Sequence, residues 1–349
     1  MALRIGLIGA GANTRLQHIP GFQGIDGVEI SAVCNRSRES GQKVADEYGI
    51  PHVFDNWEDL VQSDDVDAIC IGTWPYMHCP MTLSGLAAGK HVLTEARMCM
   101  NLAEARQMHA ASEQSDRVAM IVPAPFYLLA EPILLDKLQN GFFGDLLEIH
   151  VNGLSGGYDP GAPLHWRQRR ELSGQNIMAT GIFNETVRRY AGHEKSVLAH
   201  GKIFTGERVD AATGQKAPAD VFESLGVVAE LESGATAVYH VSSVAKLGPA
   251  FAFSFYGTKG SFKMEAGNAV SPGGVWIAGE GDADYRALEL AEHPRNGWQV
   301  EEDFVDAIRD GRAVTHTSFA DGVKYMEFTE AVQVSIAEGR RVDLPLGVR

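Results

Sequence analysis

The junction between an apolar run and two glycines near the N-terminus constrains the fold more than any other feature of the chain. Residues 3–8 read Leu-Arg-Ile-Gly-Leu-Ile, and Gly9-Ala10-Gly11-Ala12-Asn13-Thr14 follows. This pattern predicts a buried strand that turns tightly into a helix over residues 14–24. A second strand is expected over residues 28–34. Because the first residues lack the basic segment and the small-residue cleavage site of a signal peptide, they predict a strand instead.

A strand, a glycine turn, a helix and a second strand are typical of a dinucleotide-binding unit. The first glycine permits the turn, and the second lets the backbone approach a pyrophosphate at the helix N-terminus. Thr14 stands where the usual motif has a third glycine. The alternative is an ordinary glycine-rich turn between a strand and a helix. We expect the cofactor-binding residues of this turn to be Gly9, Gly11, Ala12, Asn13, Thr14 and Arg15.

The residues after the second strand predict which dinucleotide binds. NAD-binding units usually place an acidic residue there for the ribose 2′-hydroxyl. This chain has Asn35, Arg36, Ser37 and Arg38 instead. Arginine and serine suit a 2′-phosphate, which a carboxylate would repel. The alternative is a helix N-cap at Ser37 beside two solvated arginines. The segment favours NADP over NAD.

Strand and helix patterns alternate as far as Val122, and the pattern changes at Pro123. Such alternation predicts a parallel sheet wound by right-handed crossovers. Longer alternating strands are then expected over residues 145–154, 197–205, 222–231, 235–243, 251–256 and 261–264, with loops over residues 206–219 and 265–273. A chain of 349 residues suits two domains. We predict an α/β protein with an N-terminal Rossmann domain (1–122) and a C-terminal α/β domain (123–349) that has a large, mostly antiparallel open sheet.

The net charge indicates which partners are disfavoured, and the cysteine pattern indicates the redox state and whether a metal site is expected. The net charge of −15 disfavours binding to nucleic acid or to anionic membranes. No apolar run reaches the length of about 18 residues that a transmembrane helix needs. The four cysteines form no C-x-x-C pair and fit no zinc-binding spacing. The sequence therefore predicts a reduced, cytoplasmic protein without a metal site.

Beyond the glycine turn, the chain resembles the Gfo/Idh/MocA oxidoreductase family over about residues 4–345. The matching segments are Gly9–Gly11 with His18-Ile-Pro, Asp67-Ala-Ile-Cys-Ile-Gly-Thr-Trp-Pro-Tyr-Met-His, Ala88-Gly-Lys-His-Val, Phe255-Tyr-Gly-Thr-Lys-Gly-Ser-Phe and Phe304-Val-Asp-Ala-Ile-Arg-Asp-Gly-Arg. The resemblance implies a C-terminal domain for substrate binding and oligomerisation, with homodimers or homotetramers formed through its sheet. It implies hydride transfer between NAD(P) and sugars, polyols or related compounds. It also implies cofactor contacts at Thr73, Trp74, His78, Glu95 and Trp166.

Three catalytic groups that are usual in this family are absent from the chain. The family's Glu-Lys-Pro reads Glu95-Ala96-Arg97, so the lysine is missing. The family's second motif is a glycine pair followed by an aspartate and by Gly-x-His, and here Ala179 occupies its aspartate position and Phe183 its histidine position. The neighbourhood remains polar, and the candidates for a rebuilt catalytic site are Tyr158, His165, Asn176, Asn184, Glu185 and Arg97. The alternatives are solvated helix charges, caps and ion pairs.

Three functions are compatible with these residues. The first is an NAD(P)-dependent oxidoreductase in which His165, Tyr158 or Glu185 replaces the missing acid–base group, or in which the proton moves through water. The second is a lyase or glycosidase that oxidises its substrate transiently with tightly bound NAD. The third is a non-catalytic sensor that binds a dinucleotide.

Overall fold

The structure, a computed structural model, describes residues 2–128, 130–174, 179–267, 273–290 and 297–347. The N-terminal part alternates strands and helices in the predicted order. Its strands are β1 (Leu3–Ile8), β2 (Val28–Cys34), β3 (His52–Phe54), β4 (Ala68–Ile71), β5 (His91–Thr94) and β6 (Ala119–Ile121). Its helices are α1 (Ile19–Gln23), α2 (Arg38–Tyr48), α3 (Trp57–Gln62), α4 (His78–Ala87) and α5 (Leu102–Glu113). The helix predicted over residues 14–24 is divided, because a π-helical turn (Thr14–His18) precedes α1.

The rest of the chain carries longer strands. Its helices are α6 (Glu131–Gln139), α7 (Arg170–Ser173), α8 (Thr180–Ala191), α9 (Val300–Asp310) and α10 (Phe319–Glu338). Its strands are β7 (Leu146–Leu154), β8 (Glu194–Lys202), β9 (Glu207–Val209), β10 (Lys216–Pro218), β11 (Ser224–Leu231), β12 (Thr236–Ser242), β13 (Ala252–Gly257), β14 (Ser261–Glu265), β15 (Gly274–Ala278), β16 (Arg286–Leu288), β17 (Thr317–Ser318) and β18 (Val342–Asp343).

The loop predicted over residues 206–219 is wrong. Strands β9 and β10 pair antiparallel there, and they are three residues long each. Strands this short and polar show no alternation that a sequence pattern can reveal. The loop predicted over residues 265–273 begins at the last residue of β14, and residues 268–272 lie outside the described part of the chain.

The chain divides into two compact units. The first comprises Met1–Pro123 and Gln299–Met326, and the second comprises Ala124–Trp298 and Glu327–Arg349. The domain boundary expected between residues 122 and 123 stays a prediction. The segment 299–326 is far in sequence from the other residues of the first unit, and the alternation of strands and helices does not assign it there.

The first unit contains a seven-stranded sheet in the order β17-β6-β5-β4-β1-β2-β3. Strands β1 to β6 pair in parallel, and β17 is antiparallel to β6. The strand order reverses between β1 and β4, and ligands of such sheets bind outside the carboxyl ends of the strands at this switch point. Gly9, Asn35, Gly72 and Glu95 each follow the carboxyl end of a strand. The predicted Rossmann fold is confirmed.

The second unit contains a nine-stranded sheet in the order β16-β15-β14-β13-β7-β12-β11-β8-β18. All neighbours are antiparallel except β7 and β12. Strand β11 buries Leu225, Val227 and Ala229, whereas Gly226 and Val228 point to the exposed face. This alternation is typical of a sheet with one covered face. The predicted large, mostly antiparallel sheet is confirmed.

Within the described residues, none of the helices has both the length and the apolar character needed to cross a bilayer.

Candidate functional site

The glycine turn after β1 is held by backbone and side-chain hydrogen bonds. Gly9 has a φ of +87°, which favours glycine, and its amide donates to the carbonyl of Cys34 at 2.8 Å. The Thr14 hydroxyl donates to the carbonyl of Gly9 at 3.1 Å, and Thr14 is buried. Thr14 therefore closes the turn at the position where the usual motif has its third glycine.

Gly72, directly after β4, packs against this turn. A Cβ atom at Gly72 would lie 2.2 Å from Oγ1 of Thr14 and 2.4 Å from the carbonyl oxygen of Gly9. A Cβ atom at Gly11 would meet only the Gly72 carbonyl oxygen, at the ordinary distance of 3.8 Å. The close backbone contact that the third glycine usually permits is therefore supplied by Gly72, directly after the neighbouring strand β4.

A cavity of about 470 Å³ opens at this edge of the sheet, between the glycine turn and the ends of β2 and β4. Its described lining residues are Ile8, Gly9, Ala10, Gly11, Cys34, Asn35, Arg36, Ser37, Ser40, Trp57, Gly72, Thr73, Trp74, Tyr76, Met77 and Met81. Among these sixteen residues, Arg36 is charged and no carboxylate is present. Such a lining suits an aromatic base and an anionic group.

The four residues that follow β2 have separate roles. Asn35 accepts the Ala10 amide through Oδ1 at 2.7 Å, so it ties the end of β2 to the glycine turn. Ser37 caps helix α2 by accepting the Ser40 amide. Arg38 binds the Asp55 carboxylate at 3.0 Å on the surface. Arg36 is exposed at the cavity and lies 5.8 Å from the centre of the Trp74 ring.

Arg15, predicted to bind the cofactor, is engaged by helix α2. Its guanidinium forms an ion pair with Glu47 and lies 5.7 Å from the centre of the Tyr48 ring. Its cofactor role stays a prediction.

Glu95, directly after β5, lies at the centre of a chain of hydrogen bonds. Its Oε1 accepts from Nδ2 of Asn13, in the glycine turn, at 2.5 Å. The same oxygen lies 3.1 Å from Nε2 of His18, and Nδ1 of His18 lies 2.5 Å from Oε1 of Glu301 on α9. His18 and Glu301 are fully buried, whereas the Glu95 side chain is 15% exposed. Burial opposes the ionisation of Glu95, but the hydrogen bond and charge of His18 hold the pKa of that carboxyl below its usual value.

His78 bridges the segments that follow β4 and β5. Its Nδ1 lies 2.8 Å from the Arg97 carbonyl oxygen, and its Nε2 lies 3.0 Å from that of Thr73. Burial lowers the pKa of His78, against the hydrogen bonds to the Thr73 and Arg97 carbonyls, which raise it. Arg97 is also buried, at 6% exposure. Its guanidinium stays protonated and cannot shuttle a proton.

Asn184 and Glu185 belong to the interior of the second unit. Glu185 accepts the Ala124 amide at 3.2 Å and the Tyr127 hydroxyl at 3.1 Å. Asn184 donates through Nδ2 to the Glu194 carboxylate and to the Tyr239 hydroxyl. Both are buried, so we propose that these two catalytic candidates have structural roles. Asn176, the third candidate of this segment, lies outside the described residues.

We expect the free energy of unfolding to depend on pH through Glu194 in this interior network. Burial raises the pKa of Glu194 to about 7, against the opposing charge of Arg188. Because the folded state keeps a proton that the unfolded chain releases, this group lowers the free energy of unfolding as pH rises from about 4.5 to about 7, by up to about 3 kcal/mol. We expect Glu194→Gln to remove this decline in urea unfolding measured at pH 5 and pH 8.

The matched control is Glu232→Gln, because Glu232 is exposed in the turn after β11. We expect that variant to keep the decline of the parent protein. An equal decline in Glu194→Gln and in the parent would show that Glu194 is ionised in the folded state at both pH values.

The remaining candidates of the second unit lie near the surface. His165 caps a 3₁₀ turn (Trp166–Gln168) by accepting the Arg167 amide through Nδ1 at 3.2 Å. Burial and the Arg167 charge lower the pKa of His165. Arg167 stacks on the Trp166 ring at 4.2 Å. Tyr158 is 53% exposed, and its hydroxyl accepts from Thr205 Oγ1 at 3.3 Å. Their functional roles stay predictions.

Sequence reasoning missed several residues of the first unit. Gly72, His18 and Glu301 were not predicted as site residues, and neither were Ser40, Trp57 and Met81 in the cavity. His18-Ile-Pro was recognised as a motif without a role. The signal for Gly72 was a glycine directly after a buried strand, whereas Glu301 lies 283 residues from its partner His18 and gave none.

Comparison with known proteins matches both halves of the chain to one family. Residues 3–122 match the model described as "Oxidoreductase family, NAD-binding Rossmann fold", and residues 134–263 match the "GFO/IDH/MocA C-terminal domain". An uncharacterized oxidoreductase of Synechocystis sp. (strain ATCC 27184 / PCC 6803 / Kazusa) is 26% identical over 271 residues, which cover 76% of this chain and 72% of that protein.

One further relative matches a part of the chain, and one solved structure shares its fold. A glycosyl hydrolase family 109 protein of Shewanella amazonensis (strain ATCC BAA-1098 / SB2B) is 31% identical over 154 residues, which cover 42% of this chain and 34% of that protein. A solved structure of levoglucosan dehydrogenase in complex with NADH and L-sorbose superposes with a TM-score of 0.87 over 99% of this chain and 100% of that one, at 21% identity. The likeness to that structure concerns the fold.

Proposed function

Because the chain belongs to the GFO/IDH/MocA oxidoreductase family, we propose that it transfers a hydride between NADP and a sugar, polyol or related carbonyl or alcohol substrate. The cavity at the carboxyl ends of β1, β2 and β4 carries this proposal. Levoglucosan dehydrogenase, whose structure was solved with NADH and a sugar, has the same fold and supports the substrate class.

The residues of the first unit fit a dinucleotide. The open backbone at Gly11 leaves room for a pyrophosphate beside the turn. Trp74 and Arg36 would hold the adenosine end, and Glu95 would accept a hydrogen bond from the nicotinamide ribose. The nicotinamide ring, when bound, supplies or receives the hydride.

The preference for NADP rests on charge. The described cavity lining has Arg36 and no carboxylate. An acid that would accept a 2′-hydroxyl and repel a 2′-phosphate is missing from this lining. Arg38 is already bound to Asp55, so Arg36 is the cation that we assign to the 2′-phosphate.

Hydride transfer also requires an acid or a base that gives a proton to the substrate oxygen or takes it away. Tyr158 and His165 are the exposed candidates in the second unit. Burial and the Arg167 charge lower the pKa of His165, which favours the uncharged form that a general base requires. Arg97 offers a fixed positive charge rather than a proton.

We also propose that the protein is cytoplasmic and forms homodimers or homotetramers through the sheet of the second unit. Leu198, Val228 and Val238 pair across three neighbouring strands of its exposed face. They are 51%, 50% and 37% exposed. An apolar row of this kind suits a second copy of the chain.

The proposed reaction is tested by absorbance at the reduced nicotinamide band. Purified protein is offered NADP or NAD with sugars, polyols and aromatic alcohols, and NADPH or NADH with the matching carbonyl compounds. We expect turnover with at least one pair of substrate and cofactor, and a higher kcat/KM with the NADP couple. Dinucleotide binding without turnover across the whole panel would instead support a sensor.

A lyase or glycosidase with tightly bound NAD is the second candidate, because glycosyl hydrolase family 109 proteins match part of the chain. The spectrum of the purified protein separates the two functions. We expect the dinucleotide to leave on dialysis, as an oxidoreductase that exchanges its cofactor requires. A dinucleotide that survives dialysis, together with release of a substituent from a sugar glycoside, would favour the second candidate.

A further inference from the structure

His18 lies buried between two carboxylates that come from distant parts of the first unit. Glu95 follows β5 at the candidate cofactor site, and Glu301 lies in the first turn of α9. The nitrogen–oxygen distances are 3.1 Å to Glu95 and 2.5 Å to Glu301. The His18 side chain has no exposed surface. The candidate mechanism leaves this histidine unused.

His18 is the last residue of a π-helical turn, and its side chain is buried. The Ile19 amide bonds to the Thr14 carbonyl, five residues back, which makes the turn π-helical. Pro20 has no amide hydrogen, so an α-helical bond from residue 20 to the Leu16 carbonyl is absent as well. This turn follows the glycine turn directly, and Nε2 of His18 lies 3.1 Å from Oε1 of Glu95.

The arrangement suits a protonated ring. A neutral imidazole donates at one nitrogen only, whereas an imidazolium donates at both. Each nitrogen of His18 faces a carboxylate oxygen, so the charged form satisfies both contacts. We propose that His18, held by Glu301, is a positioning residue that orients the Glu95 carboxylate for the dinucleotide, and that its positive charge is needed for full cofactor affinity. This inference rests on the proposed function, because it takes Glu95 as a cofactor contact.

The charge of His18 is set by these two carboxylates. Burial alone would lower the pKa of His18, but the hydrogen bonds to Glu301 and Glu95 outweigh it and raise the pKa to about 9. When the proton leaves, the longer contact is the one we expect to break, which leaves Glu95 bonded to Asn13 without His18 and leaves Glu301 bonded to His18.

The other titratable groups near the two carboxylates have pKa values that are shifted away from the His18 pKa. Burial raises the pKa of the Cys70 thiol, and the charges of Glu95 and Glu301 raise it further. Burial lowers the pKa of His78, on which the charges of Glu95 and Arg97 also act. Arg97 stays protonated. Among the described groups, Glu95 and Glu301 are therefore the ones whose charges raise the pKa of His18.

Cofactor titrations against pH test the proposal. NADP is titrated into the full chain between pH 7 and pH 10. For the parent protein we expect the Kd to rise about tenfold with a midpoint near the His18 pKa, because a hydrogen bond to a charged group is lost. For His18→Gln we expect a Kd about tenfold higher at pH 7.5 and no midpoint above pH 8. For Glu301→Gln we expect the midpoint to move to lower pH.

The matched control is His91→Asn. His91 begins β5, at the opposite end from Glu95, and accepts the Val118 amide at 2.9 Å through Nδ1, which an asparagine oxygen can replace. We expect this variant to keep the parent profile. A parent profile that is flat above pH 8, or that persists in His18→Gln, would overturn the inference while leaving the proposed function intact. Failure of the parent protein to bind NADP or NAD at any pH would overturn both.

A measurement on the parent protein alone covers the case in which His18→Gln does not fold. Because linkage is reciprocal, NADP that prefers the imidazolium must raise proton occupancy when it binds. Calorimetry at pH 9 in two buffers of different ionisation enthalpy measures this proton uptake. We expect net uptake, and zero uptake would overturn the inference.

Discussion

Replacing Arg36 by glutamate is expected to raise the Kd for NADP about 100-fold and to change the Kd for NAD about threefold or less. Arg36 is exposed at the cavity, beside the Trp74 ring, and no described lining residue carries a negative charge. A charge-assisted hydrogen bond is worth about 1.5–3 kcal/mol, and every 1.4 kcal/mol or so changes an affinity tenfold. Glutamate removes that bond and adds repulsion toward the 2′-phosphate, whereas it can accept a hydrogen bond from the 2′-hydroxyl of NAD.

Arg38→Glu is the matched control for this prediction, because it makes the same change of charge two residues away. Arg38 is bound to Asp55 and does not appear among the described residues of the cavity. We expect it to raise the Kd for NADP about fivefold at most. Both affinities are measured by fluorescence titration at one fixed salt concentration. Equal losses in the two variants would mean that net charge, rather than Arg36, attracts the phosphate.

The sequence was sufficient for the fold because its signals are local. A glycine turn after a short apolar strand, followed by regular alternation, predicts a parallel sheet, and β1 to β6 form one. The alternating patterns over residues 145–264 predict the second sheet, whose strands β7, β11 and β12 lie within a residue or two of the expected bounds. Strands β9, β10, β17 and β18 are too short to produce a pattern.

The candidate site was predicted less completely because its contacts join distant residues. The cofactor roles of Asn35 and Ser37 stay predictions, because both residues line the cavity, where Asn35 also bonds to Ala10 and Ser37 also caps α2. Asn184 and Glu185 read as polar residues on a helix, and their burial depends on partners such as Glu194 and Tyr127. Charge and polarity can be read from the chain, whereas which partner satisfies each group depends on the tertiary structure.

Substitution of two glycines by alanine should separate binding from folding. Gly72→Ala places a Cβ 2.4 Å from the carbonyl oxygen of Gly9 and 2.2 Å from the Thr14 hydroxyl. Because the first of these atoms is backbone and the second is buried, we expect a loss of about 3 kcal/mol in the free energy of unfolding. We also expect no measurable dinucleotide binding, since the turn itself must move.

Gly11→Ala is the counterpart, because its Cβ would have only a 3.8 Å contact with the Gly72 carbonyl oxygen. We expect its unfolding free energy to stay within about 0.5 kcal/mol of the parent value. Its cofactor affinity should nevertheless fall at least about tenfold, because the added methyl group occupies space beside the pyrophosphate. Urea unfolding and NADP titration of both variants give the comparison. A Gly11→Ala variant with parent affinity would show that the pyrophosphate does not bind beside this turn. A Gly72→Ala variant with parent stability would show that Gly72 is not needed to close the turn.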